Sequence, residues 1–119
     1  MKILLVEDHK FLAEASIGVL REMYDHDVEH ALTAAQALRL AEKQIFDVIL
    51  IDLNLPDANG YDLARQLRAN KALNRTVFIA LTGIGNSFDE KRAESSGIDA
   101  SFTKPMDFAV LSSICRRTN

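Results

Sequence analysis

Apolar positions in this chain fall into short unbroken runs, separated by stretches with helical spacing. Ile3-Leu4-Leu5-Val6 is followed by Glu7-Asp8, Val48-Ile49-Leu50-Ile51 by Asp52, and Val77-Phe78-Ile79-Ala80-Leu81 by Thr82-Gly83. The shorter run Ala100-Ser101-Phe102-Thr103 leads into Lys104-Pro105. Near-continuous apolar runs of this length read as strands buried on both faces of a parallel sheet. Asp27–Ala31 is a weaker strand, and the third strand is predicted over Asp47–Ile51. The intervening stretches predict helices. Lys10–Tyr24 carries Leu12, Ala15, Val19 and Met23 as an inward stripe. Thr33-Ala34-Ala35-Gln36 fits a capping box that opens a helix running to about Gln44. The loop Asn54-Leu55-Pro56-Asp57-Ala58-Asn59-Gly60 is rich in turn residues and precedes a helix over Tyr61–Asn70, with Leu63, Ala64 and Leu67 facing in. Ser87-Phe88-Asp89-Glu90 fits another capping box, opening a fourth helix that Gly97 stops, and a last helix covers about Asp107–Arg117. Strands alternating with helices predict an α/β fold with parallel pairing and right-handed crossovers.

In such a sheet the carboxyl ends of all strands lie along one edge, where these folds bind ligands. Glu7, Asp8, Asp52, Thr82 and Lys104 are therefore expected to converge there. Strands one and three are neighbours in the common doubly wound order, which brings the three acids together. Carboxylates that close repel one another unless a cation accompanies them. Hard oxygen donors with room for water suit Mg²⁺. Lys104, just before the rigid Pro105, can aim its ammonium back over the site and bind a phosphoryl oxygen as a point charge. The Thr82 hydroxyl and the Gly83 amide offer a second phosphoryl contact. Each residue also has a plain reading: Asp52 as a solvated strand end, Lys104 as a solubilising surface lysine, Thr82 as a cap. A structural cluster of three acids would be costly, which weighs against those readings. His9 follows the acid pair and reads as an exposed residue at a helix start, and His9, His26 and His30 lack metal-ligand spacing. No Ser-His-Asp order, glycine-rich phosphate loop or Cys-His metal spacing occurs in the sequence.

The length of 119 residues fits one domain, and 48% hydrophobic residues suffice for one core. Net charge is −3 and the basic residues form no block beyond Arg116-Arg117, so direct nucleic-acid binding is not expected. The longest apolar run is far too short to span a membrane, and two acids follow Ile3–Val6 at once, unlike a signal peptide. Cys115 is the only cysteine and reads as a packed helix residue, which fits a reducing, cytoplasmic setting.

The set Glu7-Asp8, Asp52, Thr82 and Lys104-Pro105, with the Leu55-Pro56…Gly60 loop, resembles the receiver domain of two-component response regulators over essentially the whole chain, 1–119. The resemblance implies a flavodoxin-like (βα)5 sandwich with a five-stranded parallel sheet in the order 2-1-3-4-5. It implies Asp52 as phosphoacceptor and Mg²⁺ bound directly by Asp8, through water by Glu7, and by Asp52 and the Asn54 carbonyl. Thr82, Gly83 and Lys104 would contact the phosphoryl group, and the Lys104–Pro105 bond would be cis. Asn54 and Ile84 would tune phosphoryl lifetime. The implied donor is a sensor histidine kinase or a histidine phosphotransfer protein, and the implied setting is the cytoplasm, without membrane or nucleic-acid contact by this chain. Catalysis would extend only to the chain's own phosphorylation and dephosphorylation. Phe11 and Ile17 exceed what the core stripe needs and, with Met106, suggest a donor surface.

One departure from the pattern stands at Ser101, where many receivers carry an aromatic switch. Phe102 falls on the opposite face by strand alternation. The response would then run through Ile84 and the Gly83–Ser87 loop. Ala80-Leu81-Thr82-Gly83 with Ala100–Pro105 is more similar to receivers fused to hybrid histidine kinases. No effector domain follows Asn119, so a stand-alone receiver and a piece of a larger protein are both open. Two other readings compete: an aspartate-nucleophile phosphatase of the haloacid-dehalogenase type, whose second acid would stand where Asn54 is, and a receiver-like interaction module that is not phosphorylated.

Overall fold

The unbroken apolar runs form strands buried along almost their whole length: β1 (Lys2–Val6), β3 (Val48–Asp52) and β4 (Val77–Thr82). In a computed structural model of the chain, residues 1–83, 88–104, 108–111 and 113 are described. Together with β2 (Asp27–Ala31) and β5 (Ala100–Thr103) the strands pair in parallel in the order β2-β1-β3-β4-β5. The flanking strands β2 and β5 lie at the edges, where their polar residues meet solvent. Helices cover both faces, giving three layers.

One face carries α2 (Ala34–Lys43), α3 (Gly60–Arg68) and α4 (Glu90–Ser96), packed on Leu4, Val6, Ile49, Ile51, Phe78 and Ala80. The buried positions of α2 are all alanine, Ala34, Ala37 and Ala41, so this helix can lie close to the sheet. The other face carries α1 (Lys10–Glu22) and Leu111 of a helical stretch at 108–111, packed on Ile3, Leu5, Val48, Leu50, Ile79 and Leu81. Fully burying aliphatic side chains of this kind contributes roughly 1.5–3 kcal/mol each, so the two clusters supply most of the drive to fold.

The inward stripe of α1 differs from the predicted one. Ala13 and Leu20 are buried and Ile17 packs beside them, whereas Leu12 is 48% and Met23 73% exposed and Ala15 faces solvent. Apolar residues occupy most of this helix, so two phases satisfy the spacing, and the turn from β1 decides between them. Ile17 is thus a core residue rather than part of a surface surplus, while Phe11 is 75% exposed.

The caps also depart in detail. Thr33 Oγ1 accepts from the Gln36 amide at 3.2 Å, but the Gln36 side chain accepts from Leu32 N–H at 2.7 Å, so the predicted box closes one residue early. Helix α4 is capped by Asp89, whose carboxylate accepts from Arg92 N–H at 3.0 Å; Ser87, where the predicted box begins, lies outside the described residues. A 3-10 turn over Lys71–Leu73, capped by Asn70, was not predicted. Gly97 does end α4, at φ 86°, and a Cβ there would meet Arg68 Cγ at 2.4 Å. Arg68 in turn donates to the carbonyls of Gly97 and Leu73 (3.0 and 2.7 Å) and to Asp99 (2.8 Å), with its guanidinium 3.7 Å above the Phe78 ring. The expected cis bond to Pro105, the roles of Ile84 and Met106, the loop residues 84–87, Cys115, and the ends of the last helix fall outside the described residues.

Candidate phosphoacceptor site

Strand register assembles the site. Val6 pairs with Ile51, so Glu7 and Asp52 come next on adjacent strands. Asp52 pairs with Leu81 and Thr82 with Thr103, which places Thr82 and Lys104 at the same edge. Backbone bonds extend this edge beyond the strands: Glu7 N–H donates to the Ala31 carbonyl and Lys104 N–H to that of Thr82, at 3.0 and 2.8 Å. The sequence predicted the convergence of Glu7, Asp8, Asp52, Thr82 and Lys104, and the structure brings all five to this edge.

The charges are arranged around Lys104. Its ammonium donates to Glu7 Oε2 at 2.8 Å and to Asp52 Oδ2 at 2.9 Å, across sequence separations of 97 and 52 residues. Both acids are buried, each only 5% exposed, whereas Asp8 faces solvent. Burial alone would lower the Lys104 pKa. The hydrogen bonds to Glu7 and Asp52, with their charges, outweigh it and leave the pKa raised, so the ammonium stays charged. The remaining carboxylate oxygens of the buried acids are held by backbone amides: Glu7 Oε1 by His9 N–H at 3.2 Å and Asp52 Oδ1 by Asn54 N–H at 3.0 Å.

One carboxylate oxygen each from Glu7, Asp8 and Asp52 lies within 4.8 Å of the others. This donor set is entirely oxygen, with one member open to solvent, and it fits a hard divalent cation that retains water. Beside Asp8 opens a cleft of about 380 Å³, lined chiefly by Leu53, Asn54, Pro56 and Asn59. Gly60 closes the base of this loop: its N–H donates to the Leu53 carbonyl at 2.9 Å, and a Cβ on it would meet Leu53 Cα at 2.7 Å. Only glycine allows that approach.

Thr82 is buried, and its hydroxyl donates to the Phe102 carbonyl over a long 3.4 Å, a weak bond that leaves it easy to redirect. Gly83 follows, half-buried. Ser101 pairs with Ala80 on one face while Phe102 packs against the opposite core cluster, as strand alternation predicted. His9 is the N-cap of α1, its Nδ1 accepting from Leu12 N–H at 3.3 Å, so the helix-start reading holds.

Two residues at this edge escaped the sequence reading. His30 Nε2 lies 2.8 Å from the Glu7 carbonyl, which can only accept, so the proton sits on Nε2. The Asp57 carboxylate accepts from Ala34 and Ala35 N–H at 2.9 and 3.2 Å, at the start of α2. The Ala34 amide, the largest effect, holds its carboxyl below the usual range; desolvation, the second, opposes it, and the amides of Ala35 and of Asp57 itself add to the lowering. Both partners are backbone groups remote in sequence, so no local motif announces them.

A family model described as the response regulator receiver domain matches residues 3–116. The chain belongs to the receiver domain family. Receivers are phosphoacceptor signalling domains of two-component systems, and the sheet order, flavodoxin-like fold and acid cluster found here are those of a receiver. Among curated relatives, the cell cycle response regulator CtrA of Brucella ovis is 33% identical over 105 residues, which are 88% of this chain and 44% of that protein. The chain thus spans less than half the length of that relative. A CheY-like receiver from Methylobacillus flagellatus superposes with TM-score 0.87 at 31% identity, covering 100% of this chain and 98% of that one. The receiver domain of a sensor histidine kinase from Pseudomonas aeruginosa has TM-score 0.84 and 34% identity, covering 98% and 94%; it was solved with a magnesium ion coordinated in its active-site cleft. Among the described residues no helix is long and apolar enough to cross a membrane.

Proposed function

We propose that Asp52 is the phosphoacceptor of this receiver and that it takes a phosphoryl group from a phosphohistidine in a Mg²⁺-dependent reaction. The observation that carries this reading is the Lys104 ammonium joining Glu7 and Asp52 at the edge where Asp8 and Thr82 also stand. A carboxylate oxygen of Asp52 attacks phosphorus in line. The P–N bond to the donor imidazole breaks as the O–P bond forms, and the imidazole nitrogen leaves with the electron pair. Such transfers need positioning and charge neutralisation more than covalent help. Asn54 N–H orients Asp52, and Lys104, already at the carboxylate, neutralises charge as the phosphoryl group arrives. The Thr82 hydroxyl and the Gly83 amide contact a phosphoryl oxygen. Asp8 and Asp52, with the Asn54 carbonyl and with Glu7 acting through water, would hold Mg²⁺, which when bound offsets the phosphoryl charge. Water later hydrolyses the acyl phosphate, so catalysis is confined to the domain's own phosphorylation and dephosphorylation. Asn54 is not an acid, which favours this reading over a phosphatase.

The donor is a sensor histidine kinase or a phosphotransfer protein, met in the cytoplasm, and the chain is one receiver domain over 1–119, of the kind found in hybrid kinases. Exposed Phe11 on the first turn of α1, next to the acid edge, supports a donor contact there. The test is intact mass after incubation with Mg²⁺ and acetyl phosphate. Wild type gains one phosphoryl group and Asp52→Asn gains none; equal labelling of the variant would overturn the assignment.

A further inference from the structure

The loop after β3 is held at three places. At its start Asn54 N–H donates to Asp52 Oδ1, and across its base Asn54 pairs with Asn59. Asn59 Oδ1 then accepts from Asp62 N–H at 2.9 Å, fixing where α3 begins. The tip is tied elsewhere. Asp57 turns its carboxylate to α2, 22 and 23 residues earlier in the chain, and accepts from both Ala35 and Ala34 N–H. Asp57 does not line the cleft beside Asp8, although Pro56 and Ala58 on either side of it do.

The start of α2 has its own local cap in Thr33, so Asp57 is not needed to open that helix. Charge-assisted bonds from two amides are stronger than neutral ones, and here they connect two elements rather than closing one. Release of Asp57 would untie the tip and leave the loop held only at its two ends, through Asn54 and through Asn59 and Gly60. Mg²⁺ demands near-ideal octahedral geometry, so its affinity is sensitive to small displacements of a ligand.

We propose that Asp57 is a positioning residue for metal binding: by tying the loop tip to the first turn of α2, it fixes the Asn54 carbonyl at the edge of the acid pocket. This rests on the reading of Asn54 as a backbone ligand. Asp57 touches neither the metal nor the phosphoryl group, so its loss alters affinity for Mg²⁺ while the phosphoacceptor stays intact.

Two readouts separate this role from ordinary helix capping. The first is Mg²⁺ titration followed by amide chemical shifts of Glu7, Asp8 and Asn54. The second is hydrogen exchange of the 54–59 amides without metal. Asp57→Ala is expected to raise the dissociation constant roughly tenfold, the low end for outer-shell supports, and to speed exchange across the loop. Asp57→Asn, which keeps one acceptor oxygen, falls between. Thr33→Ala removes the local cap of α2 and should lower thermal stability while leaving Mg²⁺ affinity and loop exchange as in wild type. Unchanged affinity in Asp57→Ala, or equal weakening in Thr33→Ala, overturns the proposal. Wild type that binds Mg²⁺ and is labelled at Asp52 while Asp57→Ala matches it sinks this inference alone. Wild type with no Mg²⁺ response at the acid pocket sinks the metal reading and this inference together.

Discussion

Lys104 serves Glu7 and Asp52, leaving Asp8 as the acid turned to solvent. With an acceptor oxygen within 4.8 Å of both buried carboxylates, Asp8 adds repulsion that the fold must carry. Two unit charges at such a distance in a solvent-like dielectric repel by about 1 kcal/mol. Asp8→Ala should therefore stabilise the metal-free protein by about 1 kcal/mol and abolish the gain in stability that Mg²⁺ gives wild type by mass action. Thermal unfolding with and without Mg²⁺ checks both halves, and a variant less stable than wild type without metal would contradict the charge argument. The same residues show how the site could be read from sequence. A polar residue ending a buried apolar strand has one place to go, so Glu7, Asp8, Asp52, Thr82 and Lys104 were legible as a group. Asp57 and His30 were not, because each binds backbone groups of a segment more than twenty residues away.

Among the elements, strands were more legible than helix faces. A strand buried on both sides has no face to mistake. Helix α1, apolar on most of its circumference, allowed two phases, and the buried one is Ala13-Ile17-Leu20. Its Gly18 has open space where a Cβ would stand. Glycine inside a helix costs about 0.5–1 kcal/mol relative to alanine, so Gly18→Ala should stabilise by that amount. Gly97 is the opposite case. At φ 86° a Cβ is strained and also strikes Arg68, and Gly97→Ala should destabilise by at least about 1–2 kcal/mol, the left-handed penalty alone. Urea titration of the two variants distinguishes an optional glycine from a required one by sign. The 3-10 turn and the true cap of α4 were missed for a related reason: several polar residues in each linker could cap, and packing selects among them.

For the whole molecule, function depends on what reaches the carboxyl edge. Phe11 is 75% exposed while its helix packs through the other side. Phe11→Glu should slow transfer from a cognate phosphohistidine protein about tenfold or more, the scale of losing an interfacial aromatic anchor, and leave acetyl phosphate labelling unchanged. Competition between the two routes on one sample measures this directly; equal slowing would mean damage to the pocket. The order of the sheet and its two-sided covering followed from strand–helix alternation and from the family resemblance.

Arg68 joins the end of α3 to Leu73, Gly97, Asp99 and the Phe78 ring, all at the opposite end of the sheet from Asp52. Its side chain is only 21% exposed, and Asp99 also accepts from Phe78 N–H at 2.8 Å. The molecule is therefore built like a vise fixed at the heel with its jaws at the acid edge. These bonds tie the end of α3, the start of β4 and the turn before β5 together at that end, so a displacement at the acid edge works against a fixed far end. A phosphoryl group added at Asp52, on the proposed reading, would therefore act first on the residues around that edge.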